Sequence, residues 1–103
     1  MHVEKSRYVD TCEPDTNGLY EWRYEYDLYS FSDASISIIA RTYVSEPDAV
    51  YFLHIEQGSL LRGITPKEFS LPIFREAVAY LRDAGFCRIE WLGVSGYDRV
   101  PEV

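Results

Sequence analysis

Residues 19–31, LYEWRYEYDLYSF, constrain this chain more than any other segment. Tyr20, Trp22, Tyr24, Tyr26 and Leu28 alternate with Glu21, Arg23, Glu25 and Asp27. A period of two sends one set to each face of a β-strand, and aromatic rings suit a half-buried pleated surface. The segment reads as a long strand with one apolar and one charged face. Such a strand needs partners at its edges and a cover over its apolar side.

The following residues supply partners. Residues 35–43 carry Ile36, Ile38, Ile39 and Thr42, side chains that favour strands. A three-residue loop at 32–34 places Leu28 opposite Ile38, Tyr26 opposite Ala40 and Glu25 opposite Arg41. That register keeps apolar with apolar and acid with base. A loop of even length sets Tyr26 against Arg41 and Glu25 against Thr42, mixing the faces. Residues 50–56 form a third strand after the turn at Pro47. Its apolar set, Tyr51, Leu53 and Ile55, is assigned to the core. Phe52 and His54 then share the other face with Glu25, Arg41 and Tyr43. Residues 60–64 read as loop or a short extension.

Thr65-Pro66-Lys67-Glu68 has the spacing of a capping box with proline at the first helical position. Pro72 is tolerated in a first turn but not in a helix interior. The spacing therefore predicts a turn at 66–69 and a main helix capped by Ser70, ending at Ala84 before Gly85. Phe74, Ala77, Val78 and Leu81 recur as one buried stripe. Residues 86–92 form the last strand, with Cys87, Ile89 and Trp91 on one side. The expected fold is a single α+β domain over 1–103. It has a four-stranded antiparallel sheet, in chain order β-β-β-α-β, and one helix on one face. Residues 1–18 are an arm that includes a short edge strand or strap at Tyr8 and Val9. Residues 93–103 are a tail that folds back through Tyr97 and Val100.

At 103 residues the chain can bury a modest core without staples. No apolar run approaches the roughly 18 residues of a membrane span, and the first ten residues lack the apolar segment of a secretory signal. The expected compartment is the cytoplasm, where Cys12 and Cys87 stay reduced; the alternative is a bridge tying the N-terminal segment to the last strand. A net charge of −7 weighs against contact with nucleic-acid phosphates. It suits solubility and, as a sharper reading, a basic protein partner.

Motifs for chemistry are sparse. The two cysteines match no zinc or redox spacing, and no metal-ligand, phosphate-loop or nucleophile-elbow pattern occurs. No metal or cofactor is expected. His54 lies two residues from Glu56 and is the one candidate base. Ser37 and Thr42 are nearby hydroxyls only if the register allows. Glu21, Glu25 and Asp27 sit at alternate positions of one strand face; Arg23 and Arg41 keep them ionised, so they suit an acidic docking patch better than acid–base work.

The areas of sheet and helix point to interaction. Four strands about 4.8 Å apart span roughly 19 Å, while one helix is about 10 Å wide. Arm, tail or another chain must cover the rest. The opposite face carries Tyr29, Ile39, Tyr43 and Phe52 among its charges, more apolar area than a solvated face usually shows. The expected binding set is therefore Glu21, Glu25, Asp27, Tyr29, Ile39, Tyr43, Phe52 and His54. In size, acidity and aromatic load (16%) the chain resembles small bacterial inhibitor proteins such as toxin-immunity proteins, antitoxins and phage-encoded nuclease inhibitors. The resemblance is one of type and rests on no motif. It implies a non-enzymatic domain that docks a protein partner. The alternatives are a structural or regulatory homodimer, and a small enzyme or small-molecule binder built around His54.

Overall fold

The computed structural model describes residues 1–11, 17 and 23–101. Among these, the chain forms β1 (His2–Thr11), β2 (Arg23–Ser32), β3 (Ser37–Tyr43), β4 (Ala49–Gln57) and β5 (Leu60–Arg62). A 3-10 turn (Pro66–Ser70), α1 (Pro72–Asp83), β6 (Arg88–Gly93) and β7 (Gly96–Arg99) follow. All seven strands join one sheet in the spatial order β1-β2-β3-β4-β6-β7, with β5 paired to the end of β4. Neighbours are antiparallel except β4 and β6, which run parallel.

The four-stranded antiparallel sheet expected from the sequence is therefore incorrect in two respects. The helix between β4 and β6 carries the chain back to the end where β4 began, so these neighbours must be parallel. And the segments read as arm, loop and tail are strands. β1 pairs with β2 in an unbroken register from His2–Ser32 to Thr11–Arg23. β7 pairs with β6, and only Val100 beyond it turns into the core. Arm and tail thus widen the sheet instead of covering it.

The expected β2–β3 register is also wrong. Ser32 pairs with Ser37 across residues 33–36, which sets Phe31 opposite Ile38, Tyr29 opposite Ala40, Leu28 opposite Arg41 and Tyr26 opposite Tyr43. A second irregularity lies between β3 and β4. Ile39 pairs with His54 and Ala40 with Phe52, so Leu53 is a bulge residue without its own partner. The bulge resets the alternation. Phe52 and Ile55, three residues apart, both point into the core, which strict period two forbids.

α1 covers one face. Ile73, Phe74, Ala77 and Leu81 are buried with Tyr29, Phe31, Ile38, Ala40, Val50, Phe52, Ile55 and Ile89 in one cluster. The helix begins at Pro72 with Leu71 as its N-cap, one residue beyond the predicted Ser70. It ends as predicted before Gly85, whose φ of 103° is the left-handed conformation glycine tolerates. The N–H groups of Phe86 and Gly85 return to the carbonyls of Leu81 and Arg82, the bonds of a Schellman stop. At the other end, the Glu68 carboxylate accepts the Thr65 N–H at 2.9 Å and the Thr65 hydroxyl. It also pairs with Arg62 of β5, pinning the short strand to the 3-10 turn.

The molecule is longer than a compact chain of its size. Its radius of gyration is 15.1 Å and its long axis 50 Å, against about 13 Å expected for the radius at this length. β3 ends opposite Tyr26, whereas β1 and β2 continue to Thr11 and Arg23 as a two-stranded ribbon. No described helix is long and apolar enough to cross a membrane.

Candidate protein-docking face

The face of the sheet away from α1 has no described element lying over it. Alternation places the even-numbered residues of β1 and β2 there, the odd-numbered residues of β3, and Tyr51 of β4. The outcome is a row of rings across the sheet. Tyr8 stacks on Tyr26 at 5.7 Å between centroids. Tyr26 and Tyr24 each meet Tyr43 edge-on at 6.0 Å. Tyr43 meets Tyr51 at 6.2 Å, and Tyr51 meets Tyr97 of β7 at 4.9 Å. Offset and edge-on rings at such distances attract one another. Three of the rings are about half exposed: Tyr8 at 46%, Tyr24 at 51% and Tyr97 at 47%.

Arg41 lies in the middle of the row. Its guanidinium is 5.1 Å from the centre of the Tyr26 ring and 5.8 Å from that of Tyr43, cation–π distances. Nη1 donates to the Tyr43 hydroxyl at 2.9 Å. At one end of the row, the Tyr51 hydroxyl donates to Glu46, and Arg88 Nη2 donates to both at 2.9 Å. Arg88 Nε lies 3.2 Å from Glu90. The bond to Glu46, with burial second, pushes the Tyr51 phenol above its ordinary pKa. Burial, with a hydrogen bond to Asp10 second, does the same for Tyr26. Tyr26 and Tyr51 are therefore held as uncharged phenols at neutral pH.

The residues expected to bind are dispersed by this arrangement. Glu21 lies outside the described residues. Glu25 and Asp27 lie on the helix side of β2, past the end of the helix, beside Lys5 and Arg7 of β1. Asp27 is 8% exposed, and Arg7 holds it at 2.6 and 3.3 Å with Lys5 at 3.7 Å. The Arg7 hydrogen bond, against some cost of burial, holds its carboxyl below the usual range. Glu25 pairs with Arg23 at 2.5 Å and Arg7 at 3.6 Å. Glu25 and Asp27 are thus both paired within the chain. Tyr29 is buried in the core and Phe52 is 0% exposed there, so both are removed from the expected binding set. Ile39, Tyr43 and His54 do share the open face.

His54 contacts Glu56 at 3.3 Å on its own strand, while Thr42, a hydroxyl considered for it, is buried on the opposite face. Three hollows of the described surface leave His54 out of their lining, although the third takes in Ser37 and Glu56. One lies between α1 and Val100–Pro101, another beside Phe86 and Cys87, and a third at the loops around Ser35 and Gln57. Among the described residues no group of three or more His, Cys, Asp or Glu is placed to hold a metal ion. Cys87 is a free, exposed thiol; Cys12 lies outside the described residues.

Sequence reasoning missed Tyr8, Tyr24, Tyr26, Tyr51, Tyr97 and Arg41 as members of one surface. The signal was present in the hydroxyl: a ring with a polar tip favours a face where that tip stays wet. No protein-family model matches this chain, and no curated protein or solved structure matches it.

Proposed function

We propose that this domain is a non-enzymatic binding module that docks a protein partner through the open face of its sheet. The observation that carries the reading is the row of six tyrosines around Arg41 on a face without a cover. Tyrosine and arginine are the residue types that dominate binding energy at protein interfaces. Six strands span roughly 29 Å and seven residues of strand roughly 23 Å. The plan area is close to the ~800 Å² per partner of an ordinary interface. A small ligand would use a fraction of it.

The reading differs from the one based on the acidic row, since Glu25 and Asp27 already have intramolecular partners. The net charge of −7 remains and would steer a basic partner on approach. An inhibitor of the immunity type would act through such a face by occluding its target.

The test places a photo-crosslinking benzoylphenylalanine at position 24, 97 or 80 of the full chain, in the cells from which the sequence comes. Positions 24 and 97 lie on the open face; Tyr80 is exposed on α1. Discrete adducts to one identified protein from 24 and 97, and none from 80, support docking through the face. Adducts at twice the chain mass support a homodimer instead. Adducts from 80 alone, or none at all, overturn the proposal.

A further inference from the structure

Arg7, Arg23, Arg62 and Arg88 each pair with a carboxylate of this chain. Arg41 pairs with none among the described residues, although it is half-buried. A guanidinium has five N–H donors in a planar fork. One goes to the Tyr43 hydroxyl, and Nε is buried without an acceptor. Nε is closed to an incoming group, so a carboxylate from outside would be met by the terminal Nη donors, where it offsets the cost of a half-buried charge that lacks a counter-anion. The carboxylates near the row are engaged elsewhere: Glu46 and Glu90 by Arg88, Asp10 by Tyr26.

We propose that Arg41 is the carboxylate-reading centre of the open face: an aspartate or glutamate side chain of a protein partner seats on its unpaired edge between the rings of Tyr26 and Tyr43. The inference rests on the docking reading and names what the partner brings to the middle of the interface. A monoanionic carboxylate matches a half-buried guanidinium that has no carboxylate partner among the described residues. A dianionic phosphate would face the acidic rim of Glu46 and Glu90 with one guanidinium to hold it. The flanking rings exclude water, which strengthens a forked ion pair relative to a solvated one.

The experiment titrates isotope-labelled full-length protein with N-acetylglutamate amide, and separately with inorganic phosphate and with chloride at matched ionic strength. The readouts are the arginine Nε–H resonances and the ring resonances of Tyr26 and Tyr43. The expected result is a saturable shift of the Arg41 signal with both rings, at a concentration at least tenfold below that moving Arg75 and Arg82 on α1. Arg41→Gln abolishes the ring shifts; Arg41→Lys, which keeps charge but not fork, weakens them at least fivefold. Both variants are used only after their melting temperatures match the wild type. Arg41 moving in step with Arg75, or phosphate saturating the site at lower concentration, overturns the proposal. The R41Q chain with the crosslinker at position 97 separates this failure from that of the docking reading. Retained adducts mean the face docks without reading a carboxylate. Loss of adducts specific to R41Q supports the proposal. Absence of adducts in the wild type defeats docking itself.

Discussion

The two faces of this sheet are both rich in rings, and they use them in opposite ways. Under α1 the rings are chiefly phenylalanine: Phe31, Phe52 and Phe74 are closed off, with Phe52 and Phe74 tilted at 4.7 Å. Across the sheet the rings are tyrosine, in a row whose ends stay half exposed. The hydroxyl sorts them. A phenyl ring loses nothing by full burial, whereas a phenol must find a hydrogen-bond partner or keep its tip in water. Tyr29 is the exception that shows the boundary. It stacks on Phe31 at 5.9 Å at the border of the covered region, with the Lys5 ammonium 5.7 Å from its ring centre. Beyond it the same face of β2 turns to Asp27 and Glu25, because the helix no longer covers it.

The two faces should differ most at the core. Phe52→Ala should cost about 3–5 kcal/mol in urea unfolding, the cost of a buried ring and the cavity it leaves. Tyr97→Ala on the open face should cost under about 1 kcal/mol. Equal losses would mean that both faces are closed.

Next in size is the buried carboxylate beside the helix entry. Glu68→Gln leaves Arg62 without its partner and should cost about 2 kcal/mol. Burial alone would raise the Glu68 pKa, but the bonds from Thr65 and Arg62 prevail and hold it at about 2. A depressed folded pKa adds stability that is full above the ordinary carboxylate range and fades as the pH falls from there toward 2. Wild type should therefore lose stability on acidification more steeply than E68Q, with the gap closing near pH 2; parallel curves would contradict the pairing.

Asp27→Asn should cost about 1 kcal/mol, because its partners Lys5 and Arg7 stay half solvated. Its loss should loosen β1 more than β4, as amide exchange would show. A smaller stability effect still is expected for Tyr24→Ala, which leaves the core cluster untouched.

How much of this was legible in the sequence follows from the same contrast. The helix announced itself, since Phe74, Ala77 and Leu81 recur at helical spacing and Gly85 stops the chain. The segments that became β2, β3, β4 and β6 were also readable from their branched and aromatic content. Three things were not. HVEKSRYVDT has a strand's alternation only once it lies along β2, since both of its faces are polar; reading it as an arm hid Lys5 and Arg7, and so left Asp27 looking free. The bulge at Leu53 is a tertiary event, and missing it sent Phe52 to the wrong side. And pairing Glu25 with Arg41 was sound charge arithmetic, yet Arg41 lies across tyrosine rings instead, a contact that a rule matching acid to base does not weigh.

Whether the open face is a docking surface can be read by hydroxyl-radical footprinting of the tyrosines, in the purified chain and in fresh lysate of the source cells. Tyr8, Tyr24 and Tyr97 should react readily when the chain is pure and become protected in lysate, while Tyr80 should react equally in both. Unchanged reactivity at Tyr24 and Tyr97, or protection confined to Tyr80, would contradict docking through this face.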